Sequence, residues 1–482
     1  MYIGVDLGST NLKAAFYDAS LACTAQKSAP VEYIRQGEFI EFDAQRYVSS
    51  LVEILRQLTA ENPGEVAQIA FTGQAESLVC LDGEGVPVCN AISWMDERSG
   101  EECAILEKQF SPELCHRVTG QQAILPTWPA TKILWLRRNR PEIFAKTESY
   151  MLLKDYVVYC LTGRKCADMS IATFSFYFDI YQKSYWTPML DAIGITEAML
   201  PPLVEPGTVV GTLTAEMAAA TGLSAATRVN TGTLDHFAGM IGTGNTAPGG
   251  MTLSTGTTMV LATMSDGTPN PDCDMALHYG FLPDTYVMLP VMESGGACLD
   301  WFRRTCMGNL DYDTLNKELL ACEDTQLLFL PYLVGTNAPE FDREATGVFF
   351  GLRQEHTAAQ MAKAVMEGVC FVLRKNCEDI LAKGTKIAGI VATGGGAKSP
   401  VWCQLQADIT GLPVEVPAVT EAACLGAVML AVWRDGQYET LSAAAKDVKM
   451  VRSYAPAPSA LIETKYRKFC KLYEAALEIA KM

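Results

Sequence analysis

A pattern of strand, glycine, threonine-containing turn and strand occurs twice in this chain of 482 residues. The first copy, VDLGSTNLKAA, begins at Val5, and the second, LSTGTTMVLAT, begins at Leu253. In each copy, strand-type residues flank a short turn, which is typical of a β-hairpin. One such hairpin in each half of the chain indicates an internal duplication, because each half would then begin with the same unit.

The remaining patterns favour an α/β fold. In the second half, IAGIVATGGGAKSPVWCQLQADITGLPVEV reads as strand, glycine turn, helix and strand, and a long helix precedes it. In the first half, PATKILWLRRNRPEIF predicts a helix that opens after Pro129. We expect two α/β lobes with a cleft between them and a boundary near residues 244–249. The lobes would span residues 1–245 and 246–482, the second ending in an amphipathic helix.

Composition excludes several classes of protein. Hydrophobic residues make up 49% of the chain and charged residues 19%, which is globular, and the net charge of −17 disfavours nucleic acid and anionic membranes as partners. The start shows no signal-peptide pattern and no apolar run of about 18 residues occurs, so we expect a cytoplasmic protein. The 16 cysteines form no CxxC pair and there are four histidines, so we expect reduced core cysteines and no zinc site.

Three glycine-containing turns can hold phosphate. In DLGST, Gly8 permits close approach of the backbone, Ser9 and Thr10 add hydroxyl donors, and Lys13 adds a positive charge. STGTT repeats the turn, and TGGGAKS precedes a helix whose N-terminus can bind a nucleotide. Each turn alone is more often ordinary, but the three together favour a nucleotide site. A Walker A loop is absent and GTGNTAPGG is not a dinucleotide fingerprint, so a Rossmann dehydrogenase is disfavoured.

Two acids complete the chemistry. Asp6 stands where the second hairpin has Ser254, at the end of a strand beside a phosphate turn, which suits a metal-bound water. Asp235, in TGTLDHFAG, lies among small and apolar residues, where a carboxylate is costly unless it is used or paired. If the hairpins face each other, both acids point into one cleft. An acid that accepts a hydroxyl proton, with a metal near the phosphates, is the minimum for phosphoryl transfer to an alcohol.

A set of motifs from Tyr2 to about Ala431 resembles the FGGY carbohydrate kinases. GVDLGSTNLK, SWMDERS, PATKILWLRRN, GTLDHFAG, STGTTM, GVFFGL with QMAKAVMEG, GGGAKSPVWCQLQADITGLPVEV and EAACLGA occur in the order typical of that family, and residues 347–367 are the most specific part. The resemblance implies a two-lobed, actin-like ATPase (ribonuclease H-like) fold. It also implies transfer of the γ-phosphoryl group of ATP to a sugar hydroxyl with Mg²⁺. Dimers are common in the family, so a homodimer is one assembly to expect, although no segment indicates an interface.

The resemblance also implies residue roles. Asp235 resembles the family's catalytic base, and Asp6 resembles the acid that organises magnesium. The nucleotide is assigned to Gly8, Ser9, Thr10, Asn11 and Lys13, to Gly256, Thr257 and Thr258, and to Gly395, Gly396, Lys398 and Ser399. The sugar pocket is assigned to Gln74, Glu76, Trp94, Asp96, Arg98, Asp235 and His236. We hypothesise that Trp94 covers an apolar sugar face while Asp96 and Arg98 bond hydroxyls.

Some positions depart from the family pattern and leave the sugar open. This chain has QAES at residues 74–77, GTNAP at residues 335–339 and His236 after the base. The leading hypothesis is a kinase for a ketose such as xylulose or another pentulose or hexulose. One alternative is a kinase for a polyol or sugar acid, although a carboxylate at Glu76 favours hydroxyl donors and disfavours acidic sugars. Another is an actin-like nucleotide-binding module without sugar kinase activity, against which Asp235 and SWMDERS argue.

Several residues keep a second interpretation. His236 either touches the sugar or orients Asp235, or it is a structural histidine. Glu76 is either in the pocket or paired with an arginine, and Arg98 is either in the pocket or paired with Glu101 or Glu102 on one helix face. Trp94 is either a ligand platform or core. Outside that segment, Trp301 and Phe302 are expected to pack inside, and Gly295 and Gly296 to lie against the adenine.

Overall fold

The computed structural model describes residues 1–270, 275–419, 421–457, 459–480 and 482. The chain divides into two compact units that interleave along the sequence. Unit 1 comprises Met1–Thr246, Gly267–Val287 and Val419–Asp447, and unit 2 comprises Ala247–Asp266, Met288–Ala418 and Val448–Met482. The predicted assignment of residues 1–245 to a sugar-binding domain and of 246–482 to a nucleotide-binding domain stays a prediction.

Up to residue 246, unit 1 consists of fifteen short strands and ten helices among the described residues. The strands are β1 (Tyr2–Leu7), β2 (Asn11–Tyr17), β3 (Cys23–Pro30), β4 (Ile34–Gln36), β5 (Phe39–Phe42), β6 (Gln68–Gly73), β7 (Leu78–Leu81), β8 (Ala91–Ile92), β9 (Ser149–Leu152), β10 (Ala167–Asp168), β11 (Phe178–Asp179), β12 (Ser184–Tyr185), β13 (Leu203–Val204), β14 (Val209–Thr212) and β15 (Arg228–Leu234). The helices are α1 (Ala44–Glu61), α2 (Gly100–Glu107), α3 (Pro112–Thr119), α4 (Pro129–Asn139), α5 (Pro141–Lys146), α6 (Leu153–Thr162), α7 (Met169–Ala172), α8 (Thr187–Ile193), α9 (Ala215–Thr221) and α10 (Asp235–Gly242), with a 3₁₀ turn at Glu197–Met199.

The described residues after 246 supply ten strands and seven helices. The strands are β16 (Gly249–Thr255), β17 (Met259–Met264), β18 (Leu277–Tyr279), β19 (Tyr286–Met288), β20 (Val291–Met292), β21 (Leu328–Leu330), β22 (Val348–Phe350), β23 (Ile387–Gly394), β24 (Val414–Pro417) and β25 (Met450–Tyr454). The helices are α11 (Gly296–Cys306), α12 (Tyr312–Ala321), α13 (Ala358–Ala382), α14 (Pro400–Thr410), α15 (Ala422–Arg434), α16 (Leu441–Ala445) and α17 (Ala460–Ala480), with a 3₁₀ turn at Gly396–Lys398. The hairpins and the strand–turn–helix–strand run are as predicted. The helix predicted over PATKILWLRRNRPEIF begins at Pro129 but is broken at Arg140, where Pro141 starts the separate helix α5.

Each unit is built on a sheet of the same pattern. In unit 1, β1 pairs with β2 antiparallel and with β6 in parallel, β6 pairs with β15 in parallel, and β14 closes the edge antiparallel. In unit 2, β16, β17, β23, β24 and β25 repeat these pairings in the same order. The predicted duplication therefore extends beyond the hairpins to five strands of each sheet. Each unit thus presents a hairpin turn beside the carboxyl end of a parallel strand, where α/β folds bind ligands.

The two faces of the unit 1 sheet are packed differently. Ile3, Val5 and Leu7 of β1 are fully buried in an apolar cluster that includes Leu51 and Leu55 of α1. Gly4 lies on the opposite face, where a Cβ would be 2.3 Å from the Cys424 oxygen of α15. Asp6 shares the face of Gly4 because side chains alternate along a strand.

Helices α10 and α15 cross on that second face at two glycines. A Cβ on Gly242 would come 1.9 Å from the Ala422 oxygen, and one on Gly426 would come 1.8 Å from the Ala238 oxygen. Such a backbone-to-backbone crossing admits only glycine and fixes the two helices against each other. It thereby fixes the position of Asp235, the first residue of α10.

Two predictions from composition can be compared with the structure. The described cysteines are all free thiols, and nine of those fifteen are buried, as expected for reduced core residues; Cys273 lies outside the described residues. Among the helices that the structure describes, none is long and apolar enough to cross a membrane.

Candidate active site

The predicted chemistry of unit 1 follows the carboxyl ends of three parallel strands. Strand β1 ends before the first turn, β6 ends before Gln74, and β15 ends before Asp235. Parallel strands bring their carboxyl ends to one edge of a sheet, which is where open α/β sheets bind ligands. The fold therefore explains why three segments distant in sequence supply one candidate site.

The first turn is held by side chains behind it. A Cβ on Gly8 would be 2.5 Å from the Asn11 oxygen, so this position requires glycine. The Gly8 oxygen accepts hydrogen bonds from the Tyr47 hydroxyl at 3.1 Å and from Gln74 Nε2 at 3.2 Å. Ser9 is half-buried and Thr10 is exposed at the tip. With its carbonyl held from behind, the turn keeps one shape for a phosphate.

Among the acids at this edge of the sheet, Asp6 has the most strongly shifted pKa. Its Oδ1 atom is buried and has no hydrogen-bond partner among the described residues. Burial, and secondly the carboxylate of Asp235, raise the pKa of Asp6 to about 7, while Lys13 opposes the shift. A buried carboxylate oxygen without a donor fits a hard cation such as Mg²⁺, which takes one or two carboxylates and completes its shell with phosphate and water.

Lys13 is already paired in the structure. It lies opposite Asp6 in the hairpin, and its Nζ is 2.8 Å from the Glu421 carboxylate, just before α15. Burial lowers the pKa of Lys13 and the bond to Glu421 raises it, with a net rise. The ammonium is thus charged, and a phosphate at the first turn would compete with Glu421 for it.

Asp235 begins α10 directly after β15. The side chain is half-buried, and its Oδ1 accepts a hydrogen bond of 2.6 Å from the backbone N–H of His236. A carboxylate in the first turn of a helix is favoured by the helix dipole. Because the negative charge of Asp235 raises the pKa of Asp6, the two carboxylates are electrostatically coupled.

His236 lies next to a second, neutral histidine. Burial, and then the charge of His236, lower the pKa of His278 to about 3. His278 stacks on Phe174 with ring centroids 4.2 Å apart, and its Nδ1 is 3.2 Å from Gln121 Nε2. His278 is therefore a structural histidine, whereas His236 is half-buried beside Asp235.

The QAES segment serves the turn and also carries a charge. Gln74 is buried, and its Oε1 accepts from the Ser77 hydroxyl at 2.8 Å while its Nε2 holds the first turn. Glu76 adopts a left-handed backbone with φ of 64°, which is uncommon for a residue with a side chain. Burial raises the pKa of Glu76 to about 7, while Lys132 opposes the rise. The cation beside Glu76 is this lysine, not the arginine of the alternative prediction.

Lys132 is a residue that sequence reasoning missed. It is fully buried in α4, and its Nζ donates to the carbonyl oxygens of Ser93 at 2.8 Å and of Glu76 at 3.3 Å. Burial lowers the pKa of Lys132 to about 8, and Glu76 partly restores it. The lysine inside the apolar run PATKILWL was the available indication.

Asp96 and Arg98 are bound to each other. Arg98 Nε and Nη2 donate to the two carboxylate oxygens of Asp96 at 2.8 and 2.7 Å, and Nη2 also reaches Glu41 at 2.8 Å. Both side chains are buried, and the guanidinium lies 4.2 Å from the Phe39 ring centroid. A paired, buried fork of this kind fixes local structure, so a sugar hydroxyl would meet groups whose bonds are largely used.

Two of the alternatives for this segment are wrong. Arg98 does not pair with Glu101 or Glu102, both of which Arg138 binds. Trp94 is not a core residue, because 39% of it is exposed. An exposed indole can cover the apolar face of a ligand.

Unit 2 has a cavity of about 690 Å³ at the second turn. Most of the predicted nucleotide residues of this unit line it: Gly256, Thr257, Gly395, Gly396, Lys398 and Ser399. Thr258 is not among the lining residues; its backbone lies against Gly295. Gly296 also lines the cavity, whereas Gly295 does not. A cavity of this size is typical of small-molecule and cofactor sites.

The turns around this cavity are held through backbone contacts. The N–H groups of Gly296 and Ala297 donate to the carbonyls of Gly256 and Thr257 at 2.8 and 3.0 Å. A Cβ on Gly396 would lie 2.7 Å from that of Thr255, whereas one on Gly395 would meet nothing closer than 3.8 Å. Helix α11 thus fixes the second turn, and Gly396 lets the third turn approach it.

The polar side chains of the cavity differ in how free they are. Lys398 is exposed and makes no ion pair among the described residues. The Ser399 hydroxyl caps α14 by accepting from the Trp402 N–H at 3.2 Å, and it donates to Asn316 Oδ1 at 2.5 Å. Asp300, Arg304, Tyr312 and Asn316 also line the cavity and were not predicted. They lie on α11 and α12, whose sequences carry no recognisable nucleotide motif. Further in, Phe302 is buried, as expected, and Trp301 stacks on Phe329.

Comparison with known proteins agrees with this geometry. Models of the FGGY family of carbohydrate kinases match twice, the N-terminal domain at residues 1–242 and the C-terminal domain at residues 251–434. A xylulose kinase of Bacillus subtilis (strain 168) is 30% identical over 98% of this chain and 95% of that protein. Among solved structures, a xylulose kinase from Rhodospirillum rubrum has a TM-score of 0.94 at 25% identity, covering 100% and 99% of the two chains. A gluconate kinase from Lactobacillus acidophilus has a TM-score of 0.91 at 25% identity, covering 100% and 97%.

The chain is a carbohydrate kinase of the FGGY family. The predicted fold class, an actin-like α/β fold of two domains, and the predicted enzyme class, an ATP-dependent sugar kinase, are confirmed. The alternative of a nucleotide-binding module without sugar kinase activity is thereby set aside.

Proposed function

We propose that this kinase phosphorylates a ketose such as xylulose or another pentulose or hexulose, with Asp235 as the catalytic base and with Mg²⁺. The observation that carries the proposal is the pair of acids at the carboxyl edge of the unit 1 sheet. Asp6 has a buried oxygen that no donor among the described residues reaches, and Asp235 lies close enough to raise the pKa of Asp6.

In this proposal Asp235 Oδ atoms accept the proton of the attacking sugar hydroxyl. Its Oδ1 is held by the His236 N–H at 2.6 Å, so the carboxylate is oriented before the sugar binds. Because phosphoryl transfer has a loose transition state, the base mainly positions the hydroxyl. Asp6 would hold Mg²⁺, which neutralises charge on the phosphates when bound.

The nucleotide is assigned to the cavity of unit 2. Its size suits a cofactor, and it is lined by Lys398, an exposed cation without an ion pair in the described part of the chain. The backbone N–H groups of the glycine turns are uncharged donors that can bind phosphate. In unit 1, the turn of Gly8, Ser9 and Thr10 would contact the transferred phosphoryl group, and Lys13 would exchange Glu421 for it.

The sugar is assigned to the segments after β6 and before α2. Trp94 would cover an apolar sugar face, and Glu76 would accept hydroxyl hydrogen bonds. The name of the Bacillus subtilis relative supports a ketose. The gluconate kinase among similar structures favours a sugar acid as the second candidate, but a carboxylate at Glu76 would repel an acidic sugar.

The test is ADP release by the purified chain with ATP and Mg²⁺ on a panel of ketoses, polyols and sugar acids. We expect a ketose to give the highest kcat/KM, and gluconate to give less than a tenth of that value. A sugar acid as the best substrate would overturn the substrate assignment. If the substrate assignment is right, Glu76→Gln should raise kcat/KM for acidic sugars relative to ketoses, because it removes the repelling charge.

The role of Asp235 is tested on the best substrate. Asp235→Ala should lose at least about 10²-fold in kcat, in line with general-base contributions. Binding of a nonhydrolysable ATP analogue should be unchanged. Glu205→Ala, an acid of the same unit bound by the Tyr279 hydroxyl at 2.8 Å, is the matched control. Near-normal turnover by Asp235→Ala would refute the base assignment.

A further inference from the structure

The strand that delivers Asp235 is irregular just before it. Between Asn230 and Thr233, the pairing of β15 with β6 shifts, so that Thr231 and Gly232 together lie opposite Phe71. Gly232 has φ of 63°, and a Cβ there would be 1.3 Å from the Phe71 oxygen. This β-bulge adds a residue to the strand and re-aims everything that follows it. The direction of Asp235 therefore depends on the bulge.

A buried cluster of charges grips the bulge from one side. Lys154 of α6 is fully buried, and its Nζ donates to the Thr231 carbonyl at 2.7 Å. The same Nζ is 3.1 Å from Asp168 Oδ2 and 3.6 Å from Asp155 Oδ1. The two acids keep the lysine charged in a place where burial disfavours charge. Lys154 thus binds a carbonyl of the bulge itself.

The cluster reaches the strand a second time, directly before Asp235. The Ser170 hydroxyl donates to Asp168 at 2.9 Å and accepts the Leu234 N–H at 3.1 Å. Its Oγ is also 2.8 Å from Thr233 Oγ1. Leu234 immediately precedes Asp235 in the chain. A continuous path of polar contacts therefore runs from Lys154 through Asp168 and Ser170 to the backbone N–H of Leu234, the residue before Asp235.

A buried ion cluster is a poor source of stability, because desolvation offsets most of its attraction. Hydrogen-bonded polar groups do define one geometry, and both carboxylate oxygens of Asp168 are bonded, to Ser170 and to Lys154. Lys154 contacts the bulge itself, and Ser170 contacts the two residues that follow it. We propose that Lys154, Asp168 and Ser170 are positioning residues of the phosphoryl transfer, which hold Asp235 at the place where it meets the sugar hydroxyl. The inference rests on the proposed role of Asp235 as base.

The closing experiment compares two buried serines. Ser170→Ala removes the hydroxyl that accepts the Leu234 N–H. Ser175→Ala removes an equally buried hydroxyl, which accepts the Tyr177 N–H at 3.2 Å and has no bond to β15. We expect Ser170→Ala to lose about 10- to 10²-fold in kcat, as misplacement by about 1 Å does. The KM for sugar and the affinity for an ATP analogue should change less than about threefold, and Ser175→Ala should keep near-normal kcat.

Two further measurements keep the test decisive. Each variant is assayed as folded enzyme, quantified by ATP-analogue binding, and Lys154→Met tests the other contact in the same way. Ser170→Ala is then combined with Asp235→Ala. A residue that acts through Asp235 should have no further effect on the residual turnover of Asp235→Ala.

The outcomes separate the two claims. If Asp235→Ala is inactive while Ser170→Ala and Lys154→Met turn over within about twofold of the unchanged chain, the positioning inference alone fails. If Ser170→Ala lowers kcat by the same factor with and without Asp235, the inference also fails, because its effect then bypasses the base. If Asp235→Ala itself retains turnover, the proposed base assignment fails instead.

Discussion

The two hairpin turns share a scaffold and differ in charge. Both lie at the end of the first strand of a sheet in which five strands have the same four pairings. The turn of unit 1 has Asp6 and Lys13 at facing positions, whereas the turn of unit 2 has Ser254 and Val260 there. In unit 2 the turn's carbonyls are held by the first N–H groups of α11. The same backbone thus carries two ionisable side chains in one copy and none at the matching positions of the other.

This difference separates two tasks of a kinase. A turn without charged side chains can bind a nucleotide through its backbone amides. Because amides do not titrate, the binding by such a turn does not depend on its own protonation. A turn with a buried acid destabilises the fold, since desolvation opposes ionisation of the carboxyl group. Acids of this kind are typical of functional sites, where the carboxylate binds a cation or takes part in a reaction. We therefore expect variants of the two copies to affect different measurements.

The largest contrast should come from Asp6 and Ser254. Asp6→Asn keeps the shape and removes the charge proposed to hold Mg²⁺, so kcat should fall by about 10²- to 10³-fold, as for loss of a main electrostatic contact. Ser254→Ala should stay within about threefold of the unchanged chain. Steady-state ADP release at several Mg²⁺ concentrations measures both. Equal losses in the two variants would show that the two turns do not divide the work in this way.

A smaller effect, confined to unit 2, is expected from neighbouring glycines. Gly396→Ala would place a Cβ 2.7 Å from that of Thr255, so the third turn must move away from the second. We expect about a tenfold loss of ATP-analogue affinity, or about 1.4 kcal/mol. Gly395→Ala, with no contact under 3.8 Å, is the control and should bind normally. Calorimetric titration distinguishes them; unaltered affinity in Gly396→Ala would contradict the assigned cavity.

The pH dependence of stability should differ between the copies. The pKa of Asp6 is about 7 in the folded protein against 3.8 for its usual value. Between these values the folded state binds the extra proton, so this group's contribution to the free energy of unfolding falls as pH rises. Asp6→Asn should therefore lose less in Tm between about pH 5 and 8 than the unchanged chain, and Ser254→Ala should behave like the unchanged chain. If Tm changes with pH equally in Asp6→Asn and in the unchanged chain, the raised pKa of Asp6 is not the cause of the pH dependence.

How much the sequence could predict follows from these same residues. The hairpins, the glycine turns and the two acids were recognisable because strand periodicity and turn chemistry are local. Lys132, Lys154 and Ser170 were not, since a lysine in an apolar run acquires meaning only when distant carbonyls and acids surround it. Lys13 was recognised as a cation, but its partner Glu421 lies 408 positions away. A pairing between such distant positions leaves no periodic pattern in the sequence from which it could be predicted.

The smallest expected effect concerns that ion pair. The side chains of Lys13 and Glu421 are 37% and 23% exposed, and ion pairs with this access to solvent contribute about 0–1 kcal/mol. Glu421→Gln should therefore change the free energy of unfolding by less than about 1 kcal/mol. The same variant frees Lys13 for phosphate and removes a charge that raises the pKa of Asp6, so the KM for ATP should fall modestly. Lys363, paired with Asp324 in unit 2 at 2.6 Å, offers the control: Asp324→Asn should leave the KM for ATP unchanged. A higher KM in Glu421→Gln would mean that the pair holds the first turn in its working shape instead of restraining Lys13.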